Sequence, residues 1–138
     1  MSMDELTLAR MKKKREEAIA HSKEAPGKFL SAWIAGIRVV GENYFTHNPS
    51  FVEPAEILQD VSDKWQVIPN NEYIGDNISV LSSGEATLLA VMCSFYNSEW
   101  GGMLMRDLGI NGMADVSAKL DLGETKIVAD LLLNYSGW

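Results

Sequence analysis

Residues that carry chemistry are scarce in this chain. It has one cysteine, Cys93, and two histidines, His21 and His47. A lone cysteine closes no internal disulfide, so nothing points to an oxidising compartment. Cys93 falls inside the most apolar stretch of the sequence, where a buried, inert thiol is expected rather than a reactive one. The histidines stand far apart, whereas zinc sites favour paired ligands at short spacing, so no metal is expected and both are read as surface residues. Long apolar runs are missing too. The uncharged, apolar-rich stretches 29–37 and 86–98 fall short of the roughly 18–20 residues that span a bilayer. The start of the chain is acidic, then basic, with no apolar segment of the signal-peptide kind, which predicts a cytoplasmic protein with no membrane partner.

Glycine clusters are few and lack a phosphate-loop context. Gly101-Gly102 and Gly109-x-x-Gly112 precede no suitably placed lysine and follow no clear strand, so turns are expected there. Carboxylates are numerous, but no pair is singled out by spacing. Asp60 and Asp63 lie one turn apart on an expected helix and read as a solvated pair. A catalytic reading needs a positioned nucleophile, base, metal or cofactor, and the pattern offers none. The expectation is therefore a protein that is not an enzyme and takes no cofactor. An enzyme on an unfamiliar scaffold would have to show a deep polar cleft with perturbed carboxylates.

What is present is helix-forming sequence with an uneven charge. Residues 1–28 hold seven Lys/Arg against five Asp/Glu, a net of +2, and residues 29–138 hold five against fourteen, a net of −9. Residues 4–23 are rich in strong helix formers. Their apolar stripe is thin: Leu8, Met11, Ala18 and Ile19 share a face that Arg15 interrupts. Lys12–Glu16 and Lys13–Glu17 are spaced as i,i+4 ion pairs. A helix with so little to bury is expected to protrude, fray or pack on a partner. Pro26-Gly27 is read as its end and as the one candidate boundary, giving a charged arm over 1–25 and a globular helical domain over 26–138.

The body reads as further helices. Phe29, Leu30, Trp33, Ile34 and Ile37 form a helical stripe over 28–40, with a strand through 37–40 as the competing reading. A loop is expected over 41–51 and a short helix over 54–65, stopped by Pro69-Asn70-Asn71. Residues 66–81 read as two short strands, at 66–68 and 77–81, or as irregular chain. Ser82-x-x-Glu85 matches a capping box. The helix it opens, with Leu88, Leu89, Met92, Phe95 and Tyr96, is apolar nearly all round and so belongs at the centre of a bundle. Trp100-Gly101-Gly102 is expected to break it. A short helix closed by Gly109, another over 113–120, and a last one capped by Asp121-x-x-Glu124 follow. The stripe of that last helix is Ile127, Val128, Leu131, Leu132 and Tyr135, and Trp138 is expected to be tied down against the body.

One stretch resembles a known pattern. Val116, Leu120, Leu122, Ile127 and Leu131 are spaced much as the residues that pin two helices across a tight turn in the helix-turn-helix of bacterial regulators. The resemblance covers 116–131 and implies DNA binding. It departs at the surface that would read bases, where Glu124, Thr125, Lys126, Ala129 and Asp130 are nearly neutral together, while recognition helices favour Arg, Asn or Gln. Ordinary helix packing is the reading taken.

The fold expected is all-α: a compact multi-helix bundle of five to seven helices with a protruding N-terminal helix. The alternative is α+β, with two or three short strands drawn from 37–45, 65–68 and 77–81. The function expected is that of a small non-enzymatic interaction or accessory protein acting through protein–protein contacts, with self-association. The contact is placed at Leu8, Met11, Lys12, Lys13, Lys14, Arg15 and Ile19. The alternative is nucleic-acid binding through that basic helix and the 116–131 segment, marked by affinity that falls steeply with salt. An acidic mimic of nucleic acid is a further reading of the −9 body.

Overall fold

The described residues form six helices and one small sheet. The computed structural model describes residues 4–48, 58 and 61–138. In chain order it holds α1 (Glu5–Val40), β1 (Phe45–His47), β2 (Val67–Pro69), α2 (Asn71–Asn77), α3 (Ser83–Tyr96), α4 (Ser98–Asp107), α5 (Met113–Lys119) and α6 (Leu122–Asn134), with short 3-10 turns at 42–44, 64–66 and 78–80. The fold is all-α, with helices in number and order close to those expected.

The caps anticipated from sequence are made. Ser82 Oγ accepts from the Glu85 N–H at 3.2 Å and Glu85 Oε1 from the Ser82 N–H at 3.3 Å. Asp121 and Glu124 repeat the exchange at 2.7 and 3.0 Å, opening α6. Each reciprocal pair satisfies two backbone donors that a helix start leaves unpaired. Between these caps α3 fills the centre: every residue from 86 to 93 is buried. Helix α4 folds back on α3, the C-terminal half of α1 lies along α6 and α3, and α5 rests on α3.

Four expectations are corrected. Pro26-Gly27 does not end a helix, and α1 runs through both residues. Proline removes a backbone donor and crowds the preceding turn, at a cost of about 3 kcal/mol. Here Pro26 and Ser22, whose carbonyl loses its partner, are both exposed, so water can reach that carbonyl. Ala25 just before the proline, and Phe29, Ala32, Trp33, Ile37 and Val40 beyond it, are buried. Packing of that half holds the helix across the proline. The strand reading of 37–40 falls with it, since α1 ends at Gly41, whose φ of 116° suits glycine.

Second, Trp100-Gly101-Gly102 does not break the central helix. The break comes three residues before Trp100: Asn97, extended at φ −148° and ψ 106°, ends α3 and caps α4 through its side chain, which accepts from the Trp100 N–H at 2.9 Å. Third, 77–81 is not a strand, because Ile78–Val80 is a 3-10 turn. Residues 67–69 do form a strand, but their antiparallel partner is β1, in the expected loop, with Thr46 opposite Ile68. Fourth, Leu132 and Tyr135 of the expected α6 stripe are exposed at 62% and 43%, while Val128 and Leu131 are buried. The helix expected over 54–65 lies mostly outside the described residues, as do Phe51 and Asp60; its end is the 3-10 turn at 64–66.

Candidate interaction surface

The first part of α1 stands apart from the body. Every residue from 4 to 24 is exposed, a length of roughly 30 Å at 1.5 Å per residue. Asp4 starts it, with Oδ1 accepting from the Thr7 N–H at 2.8 Å. That bond holds the Asp4 carboxyl below its ordinary range. All seven residues named from the sequence, Leu8, Met11, Lys12, Lys13, Lys14, Arg15 and Ile19, lie in this stretch. Leu8 is 51% exposed, Met11 47% and Ile19 49%, with Leu6 beyond them at 62%. The expected Lys12–Glu16 pair is present but loose at 4.0 Å between exposed side chains, and Lys13–Glu17 does not close to that distance. Such exposed pairs contribute little.

The arm meets the body where His21 Nε2 donates to the Leu133 carbonyl at 3.0 Å. At 100° per residue, Leu8, Met11, Arg15, Ala18, Ile19 and Ser22 lie on the same side of α1 as Phe29, Trp33 and Ile37. The face that is buried in the second half of the helix is therefore bare in the first half. Arg15 sits within it, and Lys12 and Lys14 flank it.

The body carries a second apolar surface. A pocket of about 240 Å³ opens among α3, α4, α5 and α6, walled by Phe95, Met105, Met113, Val116, Val128 and Leu132. Met113 and Leu132 are exposed at 66% and 62% on its rim. Sequence reading placed Leu132 inside and so missed this surface. The seven-residue helix α5 is too short to cover the neighbouring face of α6. The larger helix contacts of α6 are with α1 and α3, not with α5. The helix-turn-helix-like segment is therefore two helices resting separately on the body. Glu124, expected on its reading face, is buried as a cap.

Lys64 is buried, its ammonium 5.0 Å from the ring centroids of Phe29 and Trp65, 5.3 Å from Trp138 and 5.5 Å from Tyr135. It donates to the Gly137 carbonyl. Burial lowers its pKa, and the charge of Asp63 opposes that shift. An ammonium over aromatic faces is held by their negative quadrupoles, so Lys64 fastens residues 135–138 to α1. Trp138 is tied down as expected, its ring 4.8 Å from Trp33. Only the remoteness in sequence of Phe29, Lys64, Trp65, Tyr135 and Trp138 hid this cage.

Cys93 is fully buried, and burial pushes its thiol far up. His47 lies in β1 rather than a surface loop, half-buried, and its Nε2 has no partner among the described residues. Gly101 and Gly102 lie inside α4, and Gly109 ends that helix with φ 79°. Among the described residues no group of three or more His, Cys, Asp or Glu is arranged to hold a metal, and no helix there is long and apolar enough to cross a membrane.

No family model matches this sequence, and no curated protein or solved structure matches it either.

Proposed function

We propose that this protein acts through protein–protein contact, that the exposed first part of α1 is the contact element, and that the chain self-associates. One observation carries the reading: Leu8, Met11 and Ile19 are about half exposed on a stretch of α1 in which every residue from 4 to 24 is exposed. A lone helix of this length is marginal in water, and most helical stability in proteins comes from packing an apolar face. A partner that covered this face would supply the missing packing. No catalytic step enters the reading.

Light scattering of the full chain over a range of concentrations tests it, beside the triple variant Leu8→Asp, Met11→Asp, Ile19→Asp. The expected result is a mass that rises with concentration in the parent and stays at the monomer in the variant. A parent that stays monomeric throughout contradicts self-association.

A second reading rests on a separate observation. Arg10, Lys12, Lys13, Lys14 and Arg15 are all exposed on the arm, where they could meet phosphates. Binding of duplex DNA at low salt, weakening steeply as salt rises, supports it; no binding at low salt removes it.

A further inference from the structure

The apolar face of α1 carries a regular seam. Asp4, Leu8, Met11, Arg15, Ala18 and Ser22 follow one another at alternating steps of four and three, the spacing at which two helices pack side by side. The same alternation continues as Ala25, Phe29, Ala32 and Gly36, all buried in the body. The chain's own elements fill the seam from Ala25 onward, while every seam residue of the arm is exposed. Whatever covers that bare part must accept cations, because Arg15 lies on the seam and Lys12 beside it.

A second copy of the seam, run antiparallel, does so. Set Leu8 of one copy level with Met11 of the other, and two-fold symmetry sets Met11 level with Leu8. Counting outward, Arg15 of each copy falls level with Asp4 of the other. On the flanking edge, Lys12 of each copy lies beside Glu5 of the other. Lys14, on the opposite edge, meets Thr7, and Arg10 and Lys13 point away by helical geometry. Asp4, Glu5, Lys12 and Arg15 are all exposed, so none must leave a buried site to pair. The arm of the second copy ends level with Arg15, short of His21, where the first arm meets its body.

Other registers fare worse. Parallel and in register, the arms set Arg15 on Arg15. Slid by one heptad, the antiparallel pair sets Lys12 beside Lys12. Like charges in contact disfavour a pairing. Exposed ion pairs contribute little singly, so the charges choose the register while Leu8 and Met11 supply the apolar contact.

We infer that two copies of this chain pair as an antiparallel helix dimer over residues 4–15, Leu8 against Met11, with Asp4 and Glu5 of each copy against Arg15 and Lys12 of the other. This rests on the self-association reading above and names its partner surface and register. The contact is isologous and closes at two copies. Ile19 lies beyond it.

Four full-length variants test it by sedimentation, run up to about 1 mM protein because so short a contact is weak. Lys12→Glu with Arg15→Glu makes an acidic arm. Asp4→Asn with Glu5→Lys makes a basic one and keeps a capping residue at position 4. Each alone sets like charges together and is expected to lose association; an equal mixture is expected to regain it. Leu8→Asp should abolish association and Ile19→Asp should leave it unchanged, since only Leu8 lies in the overlap. Circular dichroism checks that every variant folds. Three results each overturn this inference and leave self-association standing: charge variants that associate like the parent, a mixture that stays monomeric, or an Ile19→Asp chain as monomeric as Leu8→Asp. A parent that is monomeric throughout overturns both.

Discussion

Gly101 of α4 lies directly against the backbone of Ser94 in α3. A β-carbon added at Gly101 would stand far inside van der Waals contact with the Ser94 nitrogen and Cα. The corner at Asn97 turns the chain so tightly that two consecutive helices touch backbone to backbone, which only glycine permits.

Gly101→Ala should therefore destabilise the protein by about 1–3 kcal/mol or more, as overpacking of a filled site does. Gly102→Ala is the control. Its added carbon meets nothing closer than the Arg106 guanidinium at 3.5 Å, and alanine gains about 0.5–1 kcal/mol over glycine inside a helix. Thermal unfolding of the two variants should move in opposite directions from the parent.

Lys64 should leave a signature in alkaline stability. Its folded pKa lies below the ordinary lysine value of 10.5, chiefly through burial. Between those two values the unfolded chain binds more protons than the folded one, so the Lys64 contribution makes stability rise with pH in that window. Tyr44 acts the other way, because burial raises its pKa above 10.0. Denaturant unfolding from about pH 8 to about pH 10, compared between the parent and Lys64→Met, isolates the lysine. The difference in stability should shift in favour of the parent as pH rises.

Cys93 is expected to resist thiol reagents in the folded protein. It is buried at the centre of α3, and its thiol is held in the protonated form. The thiolate is the reactive species. Labelling should track the population of the opened form, and should accelerate in Gly101→Ala in step with that variant's loss of stability. Fast labelling of the native parent contradicts the burial.

Local signals were the legible ones. The boxes at Ser82–Glu85 and Asp121–Glu124 are made between residues three apart, so their spacing in sequence is their geometry. The all-round apolar character of 86–96 marked α3 as central for a similarly direct reason. Pro26-Gly27 misled because a local propensity was outweighed by burial of Phe29, Trp33 and Ile37 several residues on. Gly101 misled because its close neighbour, Ser94, belongs to the preceding helix, and a turn and a tight crossing use the same residue. The pairing of β1 with β2, the cage around Lys64 and the pocket at Leu132 all join residues distant in sequence. The bare stripe on the arm was legible because it needs no partner to be recognised; the apolar pocket among α3, α4, α5 and α6 was not.

Site-resolved amide hydrogen exchange of the full chain, below and above the concentration at which it associates, tests the central claim most directly. The account predicts that amides of residues 8–24 exchange quickly in dilute solution and become protected as the concentration rises, while those of α3 stay protected throughout. Fast exchange of the arm at every concentration, in a chain that nevertheless associates, would show that the contact lies elsewhere and would contradict the account.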